Sequence, residues 1–333
     1  MLTRKLGRGG PEVSALGIGA MSFSDFYGPC TEAEAHGVLD RAAELGINHI
    51  DTSNIYGMGR SEQIIGRYFA HRPEMRDRFR IATKAGIRHD PETGERGFDN
   101  SRAHLDSELD ASLERLGVEA VDLFYVHRRD PRHPIEAVTE TLASLVAAGK
   151  AKAFGFSEIA PSSLRRAAAV HPVAAVQSEY SLSSRGPDLG LVQACDALGT
   201  ALVAFAPVGR GLLTDTPPSA DRAGAVSFFR SNPRFLPENL AANIRATDGF
   251  RKLAAEAGMP AAALAIGWLL ARSDAVVPIP GTRSTAHLED LALGAASPLA
   301  PDLLAEIEAV LPVGWAHGDR YSPQQWIGPE RYC

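Results

Sequence analysis

Short apolar runs alternate with amphipathic stretches along almost the whole chain. Residues 16–23, 47–50, 80–83, 121–126, 151–156, 173–177, 201–205 and 275–279 are short, apolar and bounded by turn residues, which predicts strands. Between and after them, apolar positions recur at helical spacing in 31–45, 61–70, 100–116, 135–148, 162–170, 188–198, 247–257, 260–271 and 285–293. The first of these opens on Thr31 with Glu34 three residues on, the signature of a capping box. In 100–116, Leu105, Leu109, Leu113 and Leu116 fall on one helical face.

Strict strand–helix alternation requires a parallel sheet with right-handed crossovers. Eight units in a row predict an α/β fold, a closed (β/α)8 TIM barrel with its active site at the carboxyl ends of the strands. An open doubly wound sheet is the alternative. No composition break divides the chain, so residues 1–333 are expected to form one domain. Two segments stand outside the alternation. Residues 2–13 surround Gly7-Arg8-Gly9-Gly10 and predict an N-terminal β-hairpin capping one end of the barrel. Residues 215–243, after the seventh strand, are rich in Pro, Ser, Asn and Arg without a clear period, which predicts a long loop, either a lid or partly disordered.

Composition narrows the function classes. The chain has 333 residues, 45% hydrophobic, with net charge -6. No basic field favours nucleic acid or anionic lipid. No apolar run reaches the roughly 20 residues of a membrane span. Cys30, Cys195 and Cys333 are far apart and odd in number, which predicts free thiols in a reducing cytoplasm and no zinc site.

Four polar residues change the picture. Asp51, Lys84 and His127 each directly follow or close a predicted strand, and Tyr56 lies five residues beyond Asp51. In a parallel sheet these side chains emerge at one end and meet. Lysine is scarce, with Lys5, Lys84, Lys150, Lys152 and Lys252 the whole set. A lysine is a compact charge that can sit beside a titrating group. Here it would favour the Tyr56 phenolate and so make the phenol a stronger acid. Asp51 would keep the lysine charged, and an imidazole N–H would hold an oxygen where negative charge develops. The set suits giving a proton to a carbonyl oxygen while a hydride attacks the carbon. No side chain supplies a hydride, so a nicotinamide cofactor is implied. Gly17-Ile18-Gly19-Ala20-Met21-Ser22 half matches a dinucleotide fingerprint but lacks its third glycine, and reads as a strand end packed closely.

These residues sit in longer motifs. Asp51-Thr52-Ser53-Asn54-Ile55-Tyr56-Gly57, Ile81-Ala82-Thr83-Lys84 and Asp122-Leu123-Phe124-Tyr125-Val126-His127-Arg128 come first. Gly155-Phe156-Ser157-Glu158, Val176-Gln177-Ser178-Glu179-Tyr180-Ser181, Gly209-Arg210-Gly211-Leu212-Leu213-Thr214 and Pro278-Ile279-Pro280-Gly281-Thr282-Arg283 follow in order. With them the chain resembles an aldo-keto reductase, most closely the microbial branch ending in a tail like Gly318-Asp319-Arg320-Tyr321.

The resemblance implies roles. Tyr56 would be the general acid, Lys84 would lower its pKa, Asp51 would pair with Lys84, and His127 would orient the carbonyl. Ser157 and Gln177 would hydrogen-bond the nicotinamide amide, with Glu158 beside them, and Phe205 would stack on the ring. Pro207, Val208, Gly209, Arg210 and Gly211 would lie near the pyrophosphate. Gly281, Thr282 and Arg283 would meet the 2′-phosphate of NADPH, with His287 and Asp290 on the following helix. Met21 would contact both cofactor and substrate. His287 stands where many members carry a second arginine, and Leu291 replaces an adenine-contacting asparagine. NADPH is therefore expected over NADH, with NADH possible. Met21, Phe26 and Tyr27, together with Tyr56 and His127, would line an apolar pocket for a small carbonyl compound. Phe23 could line it too, and Phe23 or Phe26 could equally be core. A cofactor-binding regulatory subunit with slow turnover is the alternative function, and a metal-dependent hydrolase using Asp51 and His127 is a third.

Overall fold

The computed structural model describes residues 1–89 and 96–332. An antiparallel hairpin, β1 (Thr3–Lys5) and β2 (Glu12–Ser14), comes first. The barrel strands are β3 (Ile18–Gly19), β4 (His49–Asp51), β5 (Arg80–Ala85), β8 (Leu123–Val126), β9 (Phe154–Ser157), β10 (Ala175–Glu179), β11 (Ala201–Phe205) and β12 (Val276–Pro278). They form one eight-stranded parallel sheet in the order β12-β11-β10-β9-β8-β5-β4-β3. A second hairpin, β6 (Ile87–His89) and β7 (Arg96–Phe98), projects beyond β5.

The seam between first and last strands is closed by two backbone hydrogen bonds. Gly17 N–H donates to the Pro278 carbonyl at 2.9 Å, and Gly19 N–H to that of Pro280 at 2.8 Å. The chains meet so closely that a Cβ on Gly19 would lie 2.6 Å from the Ile279 oxygen. The glycines of the half fingerprint thus serve barrel closure. The first strand is shorter than the predicted 16–23, because residues Ala20–Ser24 turn into a 3-10 helix.

Helices α1 (Glu32–Glu44), α2 (Arg60–His71), α3 (Arg102–Leu116), α4 (Ile135–Ala147), α5 (Pro161–Val170) and α6 (Leu191–Leu198) alternate with the strands. The capping box of α1 is formed: Thr31 Oγ1 accepts from Glu34 N–H at 3.2 Å, and Glu34 accepts from Thr31 N–H at 2.7 Å. Residues 215–243 differ from the irregular loop expected. They hold α7 (Ala220–Ala225), α8 (Ser227–Ser231) and most of α9 (Pro237–Ala246). The first two are too short to show a helical period. They are pinned by aromatic packing, with Phe229 stacked on Phe235 at 4.1 Å and Tyr27 5.8 Å from Phe229. Then come α10 (Asp248–Glu256), α11 (Ala261–Leu270), α12 (Thr285–Ala296) and α13 (Pro301–Val310), the last unforeseen. No single helix among the described residues is long and apolar enough to cross a membrane.

Two layers of core follow. Helix stripes bury the outer faces of the strands, and inward side chains such as Ala82, Leu123, Tyr125, Val203 and Val277 fill the barrel. Leu6 and Val13 of the hairpin join that inner cluster and plug one end. Phe23 is fully buried and belongs to the core, whereas Phe26 stays exposed.

Packing inside the barrel leaves no room at Gly155 of β9. A Cβ there would lie 2.3 Å from the Ala175 oxygen and 2.7 Å from the Tyr125 ring. Gly155→Ala should therefore cost about 1–3 kcal/mol in a denaturant titration. An unchanged midpoint would show that β9 and Tyr125 yield freely.

Candidate active site

Strand register sets the heights of the four residues. Asp51 ends β4, Lys84 lies near the end of β5, and His127 follows β8. Thr52 N–H donates to Ala82 O at 2.8 Å, and His127 N–H to Ala85 O at 2.8 Å, so the ladder continues past the last strand residues. Tyr56 is carried back over the sheet by a turn in which its N–H donates to Ser53 O at 3.1 Å.

The structure brings all four together. Lys84 Nζ donates to Asp51 Oδ1, to the Thr52 carbonyl at 2.8 Å and to the Tyr56 hydroxyl at 3.2 Å. Its three N–H bonds are thus all spent. Asp51 Oδ2 accepts from Gln177 Nε2 at 2.8 Å. The His127 ring stands edge-on to the Tyr56 ring, centroids 5.8 Å apart. Ser53 Oγ lies 3.1 Å from His127 Nδ1.

Burial and charge set the protonation states. Burial opposes charge on Lys84, but Asp51 and Tyr56 outweigh it and hold its pKa above the usual lysine value. Burial pushes the Tyr56 phenol up and, with Asp51, outweighs the downward pull of the Lys84 charge, so its pKa stands above the ordinary phenol value rather than below it as expected. The phenol therefore keeps its proton at neutral pH. Burial, with the charges of Arg128, Lys84 and Arg96, holds His127 well below its ordinary value, so the imidazole is neutral.

The remaining predicted residues line the carboxyl ends of β9 to β12. Ser157 ends β9, Gln177 lies in β10, and Phe205 ends β11 as its one residue not fully buried. Residues Pro207 to Gly211 turn just beyond, Gly281, Thr282 and Arg283 follow β12, and His287 and Asp290 lie in α12. Met21 sits in the 3-10 turn after β3. Phe26 and Tyr27 pack on each other at 4.9 Å, and Phe26 lies 5.4 Å from Phe228.

Two arginines fit opposite ends of a dinucleotide, a phosphate and an amide. Arg283 donates to the carbonyls of Pro29 and Tyr27, yet no described carboxylate lies within ion-pair distance of it. Its charge sits before the N-terminus of α12, where phosphates bind well. Arg128 spends Nη1 on the His127 carbonyl at 2.6 Å and on Ser157 Oγ at 3.0 Å, and its buried Nε has no partner. A bound amide or anion could take that hydrogen.

The Aldo/keto reductase family profile matches residues 15–312. The chain belongs to the aldo/keto reductase family. It is 40% identical to the aldo-keto reductase yakc of Schizosaccharomyces pombe, whose name specifies NADP(+), over 86% of this chain and 85% of that protein. A probable aldo-keto reductase 1 of Glycine max is 36% identical over 95% of this chain and 91% of its own length. Among solved structures, a glycerol dehydrogenase from Gluconobacter oxydans superimposes with TM-score 0.81 at 26% identity, covering 93% of this chain and 94% of its own. The holo form of an aldo-keto reductase from Bacillus halodurans gives 0.76 at 26%, covering 98% and 99%.

Besides Gln177, whose amide donates to Asp51, two more of the expected cofactor residues of this aldo/keto reductase have protein partners. Arg210 grips Glu179 with two bonds of 2.8 Å, through Nη1 and Nη2, and its Nε has no described partner. Glu158 accepts from Ser178 Oγ at 3.0 Å and from Glu179 N–H at 2.8 Å, and pairs with Arg320 of the tail. Arg320 also reaches Glu179 at 3.4 Å, and Arg234 lies 3.6 Å from it. Two buried carboxylates thus share three guanidiniums from three separate segments. The sequence pattern could not show this, because the partners lie up to 162 residues apart. Burial alone would raise the Glu179 pKa, but Arg210, Arg320 and Arg234 bring it to about 2.

A carboxylate with a depressed folded pKa contributes stability above its unfolded value and loses it as pH falls through the folded one. Arg320→Met should cost about 3 kcal/mol near neutral pH by stranding buried carboxylates. Thermal unfolding should show the gap to wild type narrowing as pH falls from 4.5 toward 2. A gap independent of pH would mean that Arg320 acts through packing on Trp326, 4.6 Å away.

Proposed function

We propose that the protein reduces aldehydes and ketones to alcohols with NADPH, using Tyr56 as the general acid. The observation that carries this is a single fully buried ammonium, Lys84 Nζ, bonded at once to Asp51 and to the Tyr56 hydroxyl. When bound, NADPH would supply the hydride. Tyr56 gives its proton to the carbonyl oxygen, and Lys84 stabilises the phenolate left behind. His127 donates to the same oxygen and fixes its position. In the alcohol direction the Tyr56 phenolate takes the proton back, the direction named in the glycerol dehydrogenase that shares this fold.

Ser157, Phe205 and the Arg128 edge would hold the nicotinamide end, and Thr282, Arg283 and His287 the 2′-phosphate. Arginine suits a phosphate by its fork of donors, and the Schizosaccharomyces pombe relative named for NADP(+) supports NADPH. Phe26, Tyr27 and Phe228 would give the substrate an aromatic wall, which suits aromatic aldehydes. The metal-hydrolase reading is disfavoured because both Asp51 oxygens are already occupied, one by an ammonium.

Purified protein should oxidise NADPH in the presence of aromatic aldehydes and dicarbonyls, with a lower Michaelis constant for NADPH than for NADH. Comparable constants would refute the NADPH preference. Tight NADPH binding without turnover of any carbonyl would point instead to a regulatory subunit.

A further inference from the structure

A neutral imidazole carries one proton, and its two nitrogens then play opposite roles. If Nε2 of His127 bears it, the ring donates to a carbonyl oxygen. If Nδ1 bears it, Nε2 presents a lone pair and repels that oxygen. The choice is made at Nδ1, and the one described group within hydrogen-bonding reach there is the Ser53 hydroxyl, at 3.1 Å.

Ser53 is fully buried in the loop between Asp51 and Tyr56. Its oxygen lies 3.2 Å from the Lys84 carbonyl and 3.3 Å from Asn54 Oδ1, so its single proton has three possible acceptors. The Lys84 carbonyl already accepts from Asn54 N–H at 3.2 Å. Asn54 Nδ2 donates to Glu108 at 2.7 Å, which orients the amide and leaves its Oδ1 the farthest of the three acceptors. Nδ1 is the nearest of the three acceptors, and the Ser53 oxygen already accepts from Ile55 N–H at 3.4 Å. We propose that Ser53 is a positioning residue whose hydroxyl donates to His127 Nδ1, which places the ring proton on Nε2 and aims it at the substrate oxygen.

The same loop therefore delivers both electrophilic groups. Tyr56 arrives directly, and the His127 proton arrives through Ser53. Its catalytic consequence rests on the reductase reading, but the tautomer itself does not. Losing the hydroxyl would leave Nδ1 without a donor and both tautomers populated.

The test is the ring-nitrogen magnetic resonance of isotope-labelled histidine in the full-length, ligand-free protein, with His127 assigned from His127→Gln. Wild type should show Nδ1 as a hydrogen-bonded lone pair and the proton on Nε2. Ser53→Ala should populate the Nδ1–H form and lower kcat about tenfold, the rate equivalent of one modest hydrogen bond. The KM for NADPH should stay unchanged. Ser53→Thr, which keeps the hydroxyl, should restore the wild-type tautomer and most of kcat. A wild-type proton on Nδ1 would overturn the proposal. So would a Ser53→Ala protein whose His127 resonances match wild type, whatever its kcat. The spectra need neither cofactor nor carbonyl, so a protein without turnover would count against the reductase reading and leave the tautomer result standing.

Discussion

A fully buried ammonium must be paired, or its desolvation would drive it neutral. Lys84 meets that requirement with Asp51, and much of the mouth of the barrel follows from the pairing. Asp51 must end one strand and Lys84 must lie just beyond its level on the same face of the next, which the β4–β5 register provides by pairing Asp51 with Ala82, two residues before Lys84. The third Lys84 hydrogen then has one place to go, the Tyr56 hydroxyl. The other carboxylate oxygen takes the Gln177 amide from β10, so the pair ties opposite sides of the sheet across its interior. A charge pair that costs free energy to bury is thereby turned into a fixed, polarised phenol.

The surroundings preserve that geometry from both ends. The hairpin plug and the glycine seam close the barrel, so the strand ends cannot splay. Above them, Glu158 and Glu179 draw in Arg210, Arg234 and Arg320 from distant segments and tie the tail to the strand ends. Stability and chemistry use the same currency here: buried carboxylates, each satisfied by more than one cation or N–H.

Periodicity made the barrel legible because each strand is short, apolar and separated from the next by a helix with one apolar face. The position of Asp51, Lys84 and His127 at strand ends was readable for the same reason. What periodicity could not show was local or long-range pairing. Residues Ala20–Ser24 are apolar enough for a strand, yet closure at Gly19 bends them into a 3-10 turn. Helices α7 and α8 are single turns held by Phe228, Phe229 and Phe235, too short for any period to emerge. Arg210 was expected to face a phosphate, and its partner Glu179 is 31 residues away in sequence. Ser53 gave no signal at all, since a serine in a loop is unremarkable until an imidazole lies against it.

The central claim is that Tyr56 delivers the proton within a site the Lys84–Asp51 pair has already built. Its most direct test is a single-turnover measurement with enzyme-bound NADPH and a dicarbonyl, comparing wild type with Tyr56→Phe and titrating NADPH binding in the same samples. The account predicts undiminished NADPH binding and a chemical step about 10²–10⁴-fold slower in the variant. An equally fast step in Tyr56→Phe would contradict it and place the acid elsewhere.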